Sequence, residues 1–129
     1  MLVALTTREA AAACRAHGIA VMMGAPNLVR GGSHSGNVAA RELAEAEMLN
    51  IISSDYVPSA LLLSAFLLAD IWDNLPAAIA CVTNAPAASA GLTDRGRLQP
   101  GLRGDVIRVR AVGSTPLIRG VWSRGRRVA

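Results

Sequence analysis

Leu49-Asn50-Ile51-Ile52, then Ser53-Ser54-Asp55-Tyr56-Val57-Pro58, then Ser59-Ala60-Leu61-Leu62-Leu63: this stretch decides how the 129-residue chain is read. The first part is an apolar run of strand length, and the last is a good helix opening. Between them a carboxylate stands at the C-terminal end of a strand, where β/α architectures keep their chemistry. An ionised Asp55 in that place could ligate a metal and take a proton from an attacking water. The same side chain could instead cap the helix that starts near Pro58. The residues alone leave both readings open.

Upstream, Thr7 reads as the N-cap of a helix Arg8–Ala16 that ends at His17-Gly18, with His17 beside the negative end of the helix dipole. Ile19–Met23 reads as a fully buried strand of the parallel type. Gly24 to Gly36 reads as a loop rich in Gly, Ser, Asn and Pro, and Asn37 as the cap of a helix Val38–Leu49. Within that loop, Arg30-Gly31-Gly32-Ser33-His34-Ser35-Gly36-Asn37 offers backbone N–H groups, hydroxyls and a guanidinium just before a helix N-terminus. Such a composition suits a phosphate, and it also makes ordinary turns.

Downstream, helices are expected over Ser59–Ile71 and Pro76–Thr83, the latter with Pro at its first position. The order is then α-β-α-β-α-α, two βα units about 30 residues apart, as in a parallel sheet with helical crossovers. From Asn84 onward Gly and Pro recur between short apolar runs at Val106–Val109, Leu117-Ile118 and Gly120–Trp122. That is turn-and-strand chemistry and predicts a small antiparallel sheet. Two parallel strands leave open edges and apolar faces, so the chain reads as part of something larger.

Composition narrows the function classes. Hydrophobic residues make up 52% and charged residues 17%, with a mean hydropathy of +0.37. The longest apolar stretch, Ala60–Ala69, is broken by Ser64 and falls short of the ~20 residues that span a bilayer. The N-terminal residues lack the basic opening of a secretory signal. A cytoplasmic location without membrane association is expected. Cys14 and Cys81 form no CxxC pair, which argues against a disulfide scaffold or a zinc knuckle and for buried thiols.

The net charge of +4 hides an asymmetry. Residues 1–94 hold four Arg against eight acids, whereas residues 95–129 hold nine Arg against Asp105 alone. Those Arg alternate with Val and Ile in Val106-Ile107-Arg108-Val109-Arg110, the period of a half-buried strand. Only Trp122 interleaves an aromatic, so no nucleic-acid partner is expected.

Read in order, the residues resemble the C-terminal third of the amidohydrolase superfamily. Asp55 matches the aspartate that ends the eighth barrel strand in that superfamily. The run Asn84-Ala85-Pro86-Ala87 … Ala90-Gly91-Leu92-Thr93-Asp94-Arg95-Gly96 … Pro100-Gly101-Leu102-Arg103-Gly104-Asp105-Val106 is similar to its closing signature. The usual Asn-Pro-Ala order appears here as Asn84-Ala85-Pro86. Met23-Gly24-Ala25-Pro26-Asn27 … Arg30-Gly31-Gly32-Ser33-His34-Ser35-Gly36-Asn37, followed by Ser54-Asp55-Tyr56, resembles one branch, the phosphonate-metabolism diphosphatases of the carbon–phosphorus lyase pathway.

The resemblance implies an α/β fold. Residues 1–85 would supply the last two βα units of a metal-dependent hydrolase (β/α)8 barrel, left incomplete, and residues 86–129 a C-terminal β-sandwich segment. It implies Asp55 as metal ligand and general base, and Arg30, Ser33, His34, Ser35 and Asn37 as substrate-binding residues. The implied reaction is hydrolytic removal of pyrophosphate from a phosphorylated ribose, with a divalent zinc, manganese or magnesium ion. The superfamily's His-x-His and bridging lysine or glutamate have no counterpart here, so the metal site is incomplete. The chain alone is then expected to be inactive, and a second chain with the N-terminal barrel part, or self-association, is the implied partner. Other branches, cyclic-amide hydrolases and amino-sugar phosphate deacetylases, share Asp55 and the closing signature. A non-catalytic partner or remnant is the rival reading.

Overall fold

In a computed structural model of the chain, residues 7–32 and 38–129 are described in full and Leu2–Ala4 by their backbone. Strand β1 (Leu2–Ala4) leads to helix α1 (Arg8–Ala16), strand β2 (Ala20–Gly24) and the short helices α2 (Ala25–Arg30) and α3 (Ala40–Glu45). Strand β3 (Ile51–Ser53) follows, then helices α4 (Ala60–Trp72), α5 (Leu75–Ala80) and α6 (Asn84–Ser89). The chain ends in strands β4 (Val106–Val112), β5 (Thr115–Ser123) and β6 (Arg126–Arg127). Two small sheets result, a parallel β1-β2-β3 and an antiparallel β4-β5-β6.

Local chemistry accounts for the first half. Thr7 Oγ1 accepts from Ala10 N at 3.2 Å and opens α1, and Gly18 takes the left-handed conformation (φ 66°) that closes it. His17 Nδ1 lies 2.8 Å from the Ala13 carbonyl, at the end of that helix. In β2, Val21 and Met23 are buried while Ala20, Met22 and Gly24 are only half-buried. Full burial on both faces was expected there. One face of this sheet is instead less completely covered among the described residues.

Several expectations need correction. The parallel sheet has three strands rather than two, because Leu2–Ala4 pairs with Ala20–Met22. The segment read as a loop from Gly24 is helical over Ala25–Arg30, with Pro26 in its first turn and left-handed Gly31 (φ 78°) at its end. Pro and Gly here mark the two ends of a short helix, which is their ordinary positional asymmetry. Helix α3 runs over Ala40–Glu45, shorter than Val38–Leu49, with Ala39 at the cap position and its first amide donating to Asn27 Oδ1 at 2.8 Å. Asn37, read as the cap, lies outside the described residues. Asn84–Ser89, read as the start of turn-and-strand chemistry, is one more short helix with Pro86 in its first turn.

The core lies where α4 meets α2, α3 and β3. Ala60, Ser64, Ala65 and Leu68 recur at helical spacing and form the buried stripe of α4. Ser64 is fully buried, and its hydroxyl donates to the Leu61 carbonyl at 2.7 Å, which removes the cost of an unpaired polar group. Trp72 Nε1 donates to the Ala44 carbonyl at 2.8 Å and ties the end of α4 to α3. On the edge of β3, Ile52 N donates to the Cys81 carbonyl at 3.1 Å, so the turn after α5 covers part of that edge. Burial pushes the Cys81 thiol up to about 11.

The second sheet is held to its approach loop by main-chain and charged contacts. Arg103 N donates to the Asp94 carbonyl at 2.8 Å, Gly125 N to the Gly104 carbonyl at 2.8 Å, and Arg124 N to Asp105 Oδ1 at 2.9 Å. Gly104 is required by this approach, since a Cβ there would stand 3.0 Å from Gly125 N. Arg103 Nε is 2.6 Å from Asp105 Oδ2 without hydrogen-bond alignment, so this pair acts by charge attraction. Arg95 Nε donates to Asp94 Oδ1 at 2.8 Å. The nine Arg of this part stand on or beside the sheet, and Arg127 lies over the Trp122 ring at 5.9 Å.

Two outcomes follow from the packing. Leu43 is 0% exposed and Leu98 82% exposed. Leu43→Ala should cost about 2–5 kcal/mol in urea unfolding, while Leu98→Ala should stay within about 0.5 kcal/mol. The second concerns acid. The Arg124 amide and then the Arg103 guanidinium hold the Asp105 carboxyl below its ordinary 3.8, and the Arg95 hydrogen bond does the same for Asp94. A carboxyl depressed in the folded state contributes stability above its unfolded value, and that contribution fades as pH falls through the folded value. The Arg124 amide resonance should therefore titrate below pH 3.8. Asp105→Asn should abolish that titration.

Candidate functional site

Gly24 is the last residue of β2, Ser53 the last of β3, and the register sets them side by side. Asp55 follows two residues later in the left-handed conformation (φ 52°), which Asp tolerates better than most residues. That turn brings its carboxylate back over the neighbouring strand. A Cβ placed on Gly24 would lie 2.7 Å from Asp55 Oδ2 and 3.1 Å from Asp55 Cβ. Asp55 is exposed at this rim, and among the described residues no hydrogen bond ties its carboxylate down.

The helix-cap alternative does not match this geometry. The amides of Val57, Ala60 and Leu61 donate to the carbonyls of Ser54, Val57 and Pro58, and Ser59 at the cap position makes no side-chain bond. The turn into α4 is closed by its own backbone.

Arg30 reaches the same rim from the end of α2. Its Nη1 donates to Tyr56 Oη at 2.8 Å, and the guanidinium carbon lies 5.6 Å from the centre of the Tyr56 ring. The structure thus brings Arg30, Asp55 and Tyr56 to the adjoining C-terminal ends of β2 and β3. Ser33, His34, Ser35 and Asn37, the other candidates, lie outside the described residues.

Asn27 and Gly24 were missed as individual residues. Asn27 Oδ1 accepts from Ala40 N at 2.8 Å, its Nδ2 donates to the Val38 carbonyl at 3.4 Å, and its own carbonyl accepts from Gly32 N at 3.1 Å. One side chain therefore fixes the start of α3 against the end of α2. No periodicity marks such a residue, because its partners lie 11 and 13 positions away.

A divalent metal needs about three protein ligands even at an open site. Among the described residues no three His, Cys, Asp or Glu side chains converge to hold one. Asp55 could supply a single ligand, and the described residues do not by themselves fit a metal centre.

Over 126 residues the chain is 51% identical to the alpha-D-ribose 1-methylphosphonate 5-triphosphate diphosphatase of Escherichia coli K12. The chain is homologous to part of this diphosphatase. The alignment takes in 95% of this chain and 33% of that enzyme, so the chain spans about a third of the length of the curated relative it matches. No family model matches the chain. No solved structure matches it either. The relative's name is that of a hydrolase of phosphonate metabolism, the branch that the Arg30–Asn37 and Ser54–Tyr56 motifs resemble. No helix of the described residues is long and apolar enough to cross a membrane.

The close approach at Gly24 can be tested directly. Gly24→Ala should displace the Asp55 carboxylate, seen as altered Asp55 side-chain carbon shifts. The fold should persist with a small shift of the Asp55 turn, because Oδ2 can rotate away while Asp55 Cβ, 3.1 Å off, must give by a few tenths of an ångström.

Proposed function

We propose that this chain supplies the C-terminal third of a cytoplasmic hydrolase that converts alpha-D-ribose 1-methylphosphonate 5-triphosphate to the 5-phosphate and pyrophosphate. Residues 1–85 would belong to its (β/α)8 barrel and residues 86–129 to a composite β-sandwich. The observation that carries this reading is the 51% identity to the diphosphatase, sustained over 95% of the chain. The exposed Asp55 carboxylate at the strand rim supports it, since a base must meet water to take its proton. Arg30 across the same rim suits the phosphate groups of the substrate, which a planar guanidinium can bind with two parallel hydrogen bonds. Ser33, His34, Ser35 and Asn37 are proposed to complete that contact.

The described residues lack a metal-ligand set, so zinc, manganese or magnesium would be held mainly by residues outside them. The remaining two thirds of the fold would lie outside these residues, and a second polypeptide that carries the N-terminal barrel part, or self-association, is the partner proposed here. No contact with nucleic acid or membrane enters this reading.

Split complementation tests it. The chain should release no pyrophosphate from a ribose 5-triphosphate by itself with any of the three metals. Co-expressed with the remaining two thirds of the diphosphatase, it should restore turnover. Asp55→Asn should lower that turnover by about 10²–10⁴-fold, because an amide cannot accept the proton. Unchanged turnover in Asp55→Asn would remove Asp55 from the chemistry.

A further inference from the structure

Tyr56 is the sole tyrosine of the chain, and it is 62% exposed. An aromatic of this size normally contributes by burying its ring in a core, yet Tyr56 stands in solvent at the rim of the parallel sheet. The contacts it makes among the described residues are with Arg30, 26 positions away in sequence. Two separate features of the phenol engage the guanidinium. The hydroxyl oxygen accepts from Nη1 at 2.8 Å, and the ring lies within cation–π range at 5.6 Å.

An exposed arginine at a helix end ordinarily samples many rotamers. Its charge complements the helix dipole in most of them, so the dipole does not explain one fixed orientation. Contact with both the edge and the ring of one phenol is one restraint on it, beside its other interactions. The restriction acts beside Asp55, the residue preceding Tyr56, and across from Gly24. The phenol adds nothing to cancel the guanidinium charge, because it is neutral. Its own O–H can still donate to a ligand oxygen while the oxygen accepts from Arg30.

We propose that Tyr56 is a positioning residue that aims the Arg30 guanidinium at a phosphate group of a ligand held over the ends of β2 and β3. This rests on the functional reading above, in which Arg30 meets the phosphorylated substrate, and assigns a role that the reading does not contain. The Tyr56 ring supplies the shelf and its hydroxyl the anchor. Orientation paid for in the free protein is not charged against binding, which is the general source of affinity from preorganisation.

The test uses the whole 129-residue chain with inorganic pyrophosphate as probe, read by titration calorimetry and by the ring resonances of Tyr56. Wild type should bind pyrophosphate with a shift of those resonances. Arg30→Ala should abolish binding. Tyr56→Phe keeps the shelf and loses the anchor, so it should bind about three- to tenfold more weakly, the scale of one lost hydrogen bond. Tyr56→Ala loses both and should bind more weakly still. Both Tyr56 variants should keep the wild-type thermal midpoint, because the side chain is largely exposed. Wild-type affinity in both Tyr56 variants, with binding lost in Arg30→Ala, would overturn the positioning role and leave the functional reading standing. Equal or absent binding in wild type and Arg30→Ala would also overturn the positioning role, since Arg30 would then hold no anion, while the functional reading stands or falls by the complementation test.

Discussion

Asn50 donates its amide to the Val21 carbonyl at 3.0 Å, and its side-chain oxygen accepts the Val21 amide at 2.8 Å. This two-point clasp sits where β3 enters the sheet, and it locks the pairing of Met22–Gly24 with Ile51–Ser53. A parallel strand of three residues has few ladder bonds of its own. A slip of one residue would exchange Ile51 and Ile52, both buried, between the two faces of the sheet. With the register fixed, Ile51 and Ile52 stay in the core, Gly24 lies beside Ser53, and the turn after Ser53 can place Asp55 over Gly24. Every feature of the rim depends on that alignment.

Helix α4 does the corresponding work on the other side. Its buried stripe is made of small residues, Ala60, Ser64 and Ala65, with Leu68 as the one large member. Small residues let the neighbouring helices α2 and α3 approach closely, and the approach is held by Trp72 at the far end. The end of α2 therefore has a defined place relative to β3, and the Arg30–Tyr56 contact is possible only because of it. Packing in the core and chemistry at the rim are linked through this helix.

The charged residues of the closing segment serve a different purpose. Asp105 and the Gly104 carbonyl hold the turn at Arg124-Gly125, while Arg103 N ties back to the Asp94 carbonyl and Arg95 pairs with Asp94 beside it. Exposed ion pairs of this kind contribute little individually. Their value lies in fixing where the β4-β5-β6 sheet begins. The Arg of this segment share an antiparallel sheet with apolar side chains that are themselves exposed, Ile107, Val112, Leu117 and Ile118. The half-buried alternation read from the sequence is therefore not what the burial shows, and Arg127 lies over the Trp122 ring. The homologous diphosphatase is three times as long as the aligned part, so the apolar positions left half-exposed on both sheets need no explanation within this chain alone.

Much was already determined by sequence. Thr7 with Gly18, and the apolar runs around Val21 and Ile51, set helix and strand through short-range hydrogen bonding and side-chain periodicity. The segment after Pro100 announced an antiparallel sheet by its alternation. The strand-end position of Asp55 was legible for the same reason, since an apolar run followed by a helix opening leaves one place for it. Tertiary structure decided the rest. Leu2–Ala4 became a strand because β2 offered it an edge, and three residues carry too little periodicity to show that in advance. Ala25–Arg30 became a helix because packing on α4 rewards its buried Ala25, Pro26 and Leu28, although Pro and Gly within six residues resemble a loop. Asn27, Tyr56 and Gly24 acquired their roles from partners 11 to 31 positions away. Such partners leave no local pattern, because only the folded chain brings them within bonding distance.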